Sequence, residues 1–140
     1  MTITYRRIGP GDAALLRKIS PGVFDEKIDR ERLIVYLREP GHLMLLALDD
    51  DTVVGQCVGV LHYHPDKPTE LYVDELGTAD AYLRRGIGEA MMQAMFDWAR
   101  ELGVNEAWIG TETDNDPANA LYRKLDPVED ETIQYYLFRL

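Results

Sequence analysis

The sequence predicts an α/β fold of the α+β kind, a mixed central sheet of about seven strands with four helices on its two faces. Hydrophobic runs of strand length alternate with helical patterns along the chain. Turn signals join neighbouring runs at two places as hairpins. The stretch from Glu70 to Arg100 reads as a strand, a basic glycine-rich turn and a long amphipathic helix.

Taken in order, residues 2–8 alternate weakly and are expected as an edge strand. Asp12 is placed to cap a first helix carrying Ala13, Leu15, Leu16 and Ile19. Residues 28–38 read as a second helix, with Leu33, Tyr36 and Leu37 on one face and Pro40 and Gly41 to end it. Residues 42–48 and 52–63 form a hairpin around Asp49, Asp50 and Asp51, an acidic triplet that serves the turn, with metal binding as the alternative. After the 64–69 loop comes a strand over Glu70–Thr78. A helix over residues 84–102 follows, with Ile87, Met91, Ala94, Met95, Trp98 and Leu102 as its buried stripe and Gly103 to end it. Residues 107–113 read as a further strand. Asp116 as N-cap and Pro117 at the first helical position start a short helix to Lys124. Residues 126–129 and 132–140 would close the chain as a second hairpin.

A chain of 140 residues, 46% hydrophobic and 29% charged, is expected as one globular domain over residues 1–140. The N-terminus lacks the apolar region of a signal peptide, and the longest apolar run, residues 43–48, is too short to span a bilayer. Cys57 stands alone, so an intrachain disulfide or a cysteine-rich metal site is excluded. It reads as a small core residue rather than a nucleophile, and a cytoplasmic setting fits. The net charge of −10 disfavours nucleic acid and anionic membranes as partners and attracts cations. Against that acidity the adjacent Arg84 and Arg85 stand out. An anionic cofactor at this turn and a cationic substrate elsewhere would explain both, while acidity serving only solubility is the alternative.

The turn runs Arg84, Arg85, Gly86, Ile87, Gly88. Glycines let a ligand approach the backbone, and the first amides of the helix lack intrahelical partners. With the helix dipole and two guanidinium groups they make a site for phosphate or pyrophosphate. A P-loop would need Gly-Lys-Ser/Thr, yet Glu89 and Ala90 follow Gly88; a dinucleotide fingerprint would need a third glycine where Met91 stands. A plain helix cap with solvated arginines is the bland reading of the turn alone. His62 and His64, i, i+2 at a strand end, could bind metal, but no third ligand follows nearby and solvated loop residues are the plainer account. Glu112, Asp114 and Asp116 could receive a polycation or simply face solvent.

The element order and two motifs resemble the GNAT superfamily of acyl-CoA-dependent N-acyltransferases over about the whole chain, most strongly over residues 71–125. One motif is the strand–LRRGIG–helix unit; the other, Asn115 to Leu125, resembles the family's "N-x-x-A-x-x-x-Y-x-K-x-G" helix. The runs LYVDEL and DNDPANALYRKL and the loop before LRRGIG look most like type I aminoglycoside 3-N-acetyltransferases. Two positions depart: Leu83 stands where Gln or Arg usually opens the first motif, and Asp126 where Gly closes the second. Asp126 is therefore expected in a left-handed conformation, which Asp tolerates better than most residues.

The resemblance implies acetyl-CoA as co-substrate and no metal. Pyrophosphate would lie on Arg84, Arg85, Gly86, Ile87 and Gly88, and pantetheine along Leu76, Gly77 and Thr78 where that strand splays from the next. An N–H near Leu76 or Gly77 would be the oxyanion donor, and Gly77 would permit the approach unless it merely marks a bulge or strand end. Asn115 either touches pantetheine or caps its helix. An alkyl amine is mostly protonated at neutral pH, so a base is needed. Glu75, in an otherwise apolar strand, is the candidate; Asp74, facing the other way by strand alternation, is the competitor. Tyr122 is the candidate general acid for the thiolate, although Ala118, Leu121, Tyr122 and Leu125 also form a helical core stripe. The implied acceptor is a small cationic amine, aminoglycoside- or polyamine-like; a peptide or protein amine, or a non-catalytic acyl-CoA-binding module, are the alternatives. Its pocket would draw on residues 20–29, the second helix and the C-terminal hairpin, and residues 135–140 could pair a homodimer.

Overall fold

The computed structural model describes residues 2–140. The chain divides into two compact units, Met1–Ile109 and Gly110–Leu140. The first holds a five-stranded mixed sheet in sequential order: β1 (Ile3–Ile8), β2 (His42–Asp49), β3 (Thr52–His62), β4 (Glu70–Thr78) and β5 (Ala107–Trp108). Neighbours run antiparallel as far as β4, and β5 lies parallel to it. The first unit also carries α1 (Arg30–Arg38) and α2 (Ile87–Glu101); the second carries α3 (Asp116–Lys124).

Five strands and three α-helices among the described residues replace the expected seven and four. The first expected helix is only a 3-10 turn over Ala13–Leu16. Asp12 does not cap it, because its carboxylate accepts from the Gly9 N–H at 2.9 Å. The Arg30 guanidinium donates to the Ala13 and Leu16 carbonyls at 2.6 and 2.9 Å, taking acceptors that a continuing helix would use. The expected 107–113 strand stops at Trp108, its ladder with β4 comprising Leu71↔Ala107 and Tyr72↔Trp108 alone. The C-terminal hairpin is absent: residues 126–140 form no strand. Pro127 lacks a ladder donor, and Arg123 Nε holds Asp130 at 2.9 Å beside α3 instead. An isolated hairpin is marginal in water in any case.

The central hairpin is apolar on both sides, with Leu43 through Leu48 on β2 and Val53, Val54, Cys57 and Val58 on β3 all buried. One face packs against α2, where Ile87, Met91, Met92, Met95 and Ala99 are buried. Small residues on β3 admit those methionines. A Cβ on Gly55 would meet Met91 Cε at 2.8 Å, and one on Gly59 would lie 3.2 Å from Met95 Sδ. Of the stripe expected on α2, Ile87, Met91 and Met95 are buried, Ala94 and Trp98 half-buried, and Leu102 exposed as the C-cap. Gly103, at φ +83°, turns the chain out of the helix as expected. α1 is capped by Asp29, whose side chain accepts from Arg32 N, and buries Leu33 and Leu37. Cys57 is buried, and burial pushes its thiol up to about 12, in keeping with a core role.

Candidate active site

The candidate site in the first unit is built from the end of β4, the turn before α2 and the segment before α1. Up to Tyr72, β4 has neighbours on both sides; from Val73 to Thr78 it is paired with β3 alone among the described residues. The backbone groups of Leu76, Gly77 and Thr78 on the β5 side are thus outside any ladder, the splay that an extended ligand with amides could use.

A β-bulge sits at Asp74. Val58 pairs with Glu75 and Gly59 with Val73, leaving Asp74 as the extra residue. Simple alternation would place Val73 and Glu75 on one face, so the alternation that separated Asp74 from Glu75 does not hold here. The bulge sends Val73 to the α2 face with Gly59, and Glu75 to the opposite face with Val58 and Gln56. Glu75 is half-buried there, whereas Asp74 is exposed. Burial raises the Glu75 carboxyl above its ordinary range, and the negative charges of Asp74 and Asp25 raise it further.

Residues 18–25 form a strap over that face. Val53 N donates to Lys18 O at 2.8 Å, Ser20 N to Val53 O at 2.9 Å, and Asp80 N to Pro21 O at 3.1 Å. Buried Gln56 donates through Nε2 to Val23 O at 3.3 Å. A Cβ on Gly77 would overlap that Val23 carbonyl oxygen. Gly77 is therefore required by a contact within the chain, which sequence reasoning did not foresee. Tyr36 of α1 contributes a second polar group. Its ring stacks on His42 at 4.3 Å, and its hydroxyl is buried without a hydrogen-bond partner. Burial raises the phenol above its usual value, with Asp74, Glu75 and Cys57 adding to the rise. Asp25 and Tyr36 come from the 20–29 segment and the second helix expected at the acceptor pocket, though neither was singled out there; Gln56 escaped sequence reading, and a glutamine inside an apolar strand was the available signal.

The turn before α2 uses two left-handed residues, Arg84 at φ 64° and Gly86 at φ 78°. They exclude the helix start expected at Arg84, and α2 begins at Ile87 with Gly86 as N-cap. The first intrahelical bond in this turn is Ala90 N to Gly86 O at 3.0 Å, so the amides of Ile87 and Gly88 have no partner within the helix. A Cβ on Gly86 would meet no atom within 4 Å, leaving the backbone approachable. Arg84 is exposed; the Arg85 guanidinium lies 4.9 Å from the Tyr82 ring centroid and donates to Ala81 O at 3.3 Å. Alternating left-handed residues beside a helix N-terminus, with two guanidinium groups, suit a phosphate group. Leu83, at the departing position, is exposed and brings no charge.

Asn115 and Tyr122 belong to the second unit, on α3. Asn115, not Asp116, is the N-cap: its side chain accepts from Ala118 N at 3.3 Å, and Pro117 stands in the first turn. Tyr122 is half-buried on that helix. Asp126 adopts φ 60°, the left-handed conformation expected where the motif usually has Gly.

A mixed sheet with a one-sided β4, a bulge and a phosphate-shaped turn before a long helix defines an acyltransferase architecture. The chain belongs to the acetyltransferase (GNAT) family, matching it over residues 13–126. Among curated proteins it is 35% identical over 89 residues to N-alpha-acetyltransferase RimI of Mycobacterium tuberculosis, a match covering 64% of this chain and 54% of that protein. It is 27% identical over 131 residues to the probable N-acetyltransferase san of Drosophila melanogaster, covering 92% of this chain and 70% of that one. The chain thus spans about half the length of the mycobacterial relative. Among solved structures, an aminoglycoside acetyltransferase from an uncultured soil metagenomic sample, in complex with sisomicin, is similar at TM-score 0.86 and 20% identity, over 99% of this chain and 96% of that one. A ribosomal-protein-alanine N-acetyltransferase from Brucella melitensis is similar at TM-score 0.75 and 17% identity, over 99% of this chain and 100% of that one. At these identities the structures share the fold. Among the described residues, no helix is long and apolar enough to cross a membrane.

Proposed function

We propose that this GNAT-family N-acetyltransferase moves an acetyl group from acetyl-CoA to a primary amine of a small cationic acceptor, with aminoglycoside- and polyamine-like molecules as the leading class. The observation that carries the reading is Glu75: a half-buried carboxyl with a raised pKa, on the stretch of β4 whose other edge lies outside any ladder. The donor supplies an activated thioester. Amides of Ile87 and Gly88 with Arg84 and Arg85 would hold its pyrophosphate, and the backbone of Leu76, Gly77 and Thr78 its pantetheine amides. An N–H at Leu76 or Gly77 would stabilise the developing oxyanion, worth about 2.7–4 kcal/mol where such donors have been removed. Glu75 would take the amine proton, its raised pKa bringing it closer to working pH. Tyr122 is proposed as general acid on its motif alone, and Asn115 as a cap. No metal enters this scheme, and a cytoplasmic enzyme is the setting we favour.

The negative charges of Asp25, Asp74 and Glu75, together with the Tyr36 hydroxyl, favour a cationic acceptor with a hydroxyl or amine to pair. A second reading, transfer to a peptide or protein N-terminus, draws support from the name of the mycobacterial relative. A homodimer through residues 135–140 remains part of the proposal, since Tyr135, Tyr136, Leu137, Phe138 and Leu140 are all exposed. Free-thiol release from acetyl-CoA with aminoglycosides, spermidine, lysine and N-terminal peptides tests the whole. Turnover with the cations and silence with peptides is the expected outcome; the reverse selects the second reading. Silence throughout, with donor binding intact, would favour the non-catalytic module.

A further inference from the structure

Two of the chain's three histidines meet at the loop end of the β3–β4 hairpin. His62 is the last residue of β3, and Glu70, the first of β4, is its direct partner in register. His64 follows just past the strand, and its ring lies against that of His62 beside Glu70. His64 Nε2 lies 3.3 Å and His62 Nδ1 3.9 Å from the same Glu70 oxygen, Oε1. The imidazole centroids are 4.2 Å apart, and one donor atom from each residue falls within 4.8 Å of the others. The third ligand that sequence spacing did not supply comes from the facing strand.

From this geometry we propose a divalent transition-metal site formed by His62, His64 and Glu70, with Zn(II) as the ion its donors suit best. Tetrahedral zinc bonds of about 2.0–2.2 Å set the ligand atoms about 3.3–3.6 Å apart. The His64–Glu70 separation of 3.3 Å already matches, and the 3.9 Å contact needs only a small side-chain shift. Two imidazoles and a carboxylate suit zinc, cobalt or nickel, whereas calcium and magnesium favour all-oxygen shells. His64 supplies an independent observation. Its Nε2 is buried, yet its approach to Glu70 lacks hydrogen-bond alignment, so the atom has no hydrogen-bond partner. A buried polar nitrogen left unpaired is costly, and a coordinated cation would satisfy it. The acidic chain, at −10, also draws cations.

Five residues of strand separate Glu70 from Glu75, about 16 Å at the usual rise. The ion is therefore a clip on the 63–69 loop, tying β3 to β4 across its mouth, and stands apart from acyl transfer.

Untagged, metal-stripped protein titrated with ZnCl2 by calorimetry is expected to bind one equivalent, with a dissociation constant of about 1 µM or below. Co(II) in its place should give the intense visible absorption of a four-coordinate site. His64→Ala and Glu70→Gln should each weaken Zn(II) at least about tenfold, while His42→Gln, which removes the histidine outside the cluster, should not. The two variants act independently, so a folding failure in one leaves the other to decide. Absence of saturable binding, affinity unchanged in both variants, or the pale spectrum of six-coordinate Co(II) would overturn the site.

Discussion

Replacing Gly77 by alanine probes the contact that seats the strap on β4. The added methyl would overlap the Val23 carbonyl oxygen and stand 3.2 Å from Gln56 Nε2. Neither neighbour can yield freely. Val23 follows a strap pinned through Pro21 O, and Gln56 already spends its amide on Val23 O. Overpacking of this kind costs about 1–3 kcal/mol, and a rigid backbone obstacle argues for the upper end. Losing the Gln56–Val23 bond adds about 1 kcal/mol, while the reduced entropy of the unfolded chain returns about 0.5 kcal/mol. A net loss of about 3 kcal/mol follows, or about 10 °C in Tm for a domain of this size. Gly86→Ala is the contrast. Its Cβ would meet open space, and only its φ of +78° is strained, for about 1–2 kcal/mol. Urea unfolding of both variants at equal m-value supplies the comparison. If Gly77→Ala lay within about 0.5 kcal/mol of wild type, or were the milder of the two, the strap would not be held against β4 as described.

Glu75→Gln should cut turnover much more at neutral than at high pH, where the amine deprotonates unaided; an equal loss at every pH would remove Glu75 as the base. The same variant should be more stable than wild type at pH 7. A raised folded-state pKa contributes stability below the ordinary value of 4.5 that is lost as pH rises through the raised one, so the advantage should fade towards pH 4 in thermal melts. Tyr122→Phe should lower kcat while donor affinity holds, and full kcat would return Tyr122 to the helix core. Arg84→Ala should weaken acetyl-CoA binding about tenfold or more, with a shallower salt dependence, measured by calorimetry at two ionic strengths.

Local chemistry made much of the fold legible. Glu70–Thr78 and the β2–β3 hairpin fall where alternation and the Asp49–Asp51 turn put them, and Asp126 takes the left-handed conformation its place in the motif demanded. What escaped depends on register and on distant partners. The bulge at Asp74 has no local signature, because it exists only as a mismatch with Val58 and Gly59. Asp25 and Tyr36 come to the Glu75 face through a strap and a helix dozens of residues away. Glu70 joins the histidines through pairing with His62, a relation invisible to i, i+2 spacing. Conversely, residues 132–140 have strand-like composition yet form none, since propensity creates no partner and Asp130 is claimed by Arg123.

The bulge also gives the proposed base and oxyanion donor a common physical origin. In an unbroken strand, Val73 and Glu75 would share the α2 face, and the carboxyl would enter a layer filled by Met91 and Met95. One extra residue turns Glu75 to the strap face while Val73 stays in the core. The same irregularity comes two residues after Tyr72, the last β4 residue paired with β5, so the ladder ends close to where the carboxyl is redirected. A bulge kinks and further twists its strand, which accounts for both effects together. Deleting Asp74 should therefore do more than remove a charge: Val73 against Gly59 and Glu75 against Val58 would close into a regular ladder, leaving Glu75 on the strap face but removing the kink beside the end of the β5 ladder, so acetyl-CoA affinity should fall. Asp74→Asn keeps the extra residue and removes only the charge. It should leave the fold intact and lower the Glu75 pKa, shifting the pH–rate profile to the acid side. If deletion and Asp74→Asn had equal effects on acetyl-CoA affinity, the bulge would not be what parts β4 from its neighbour.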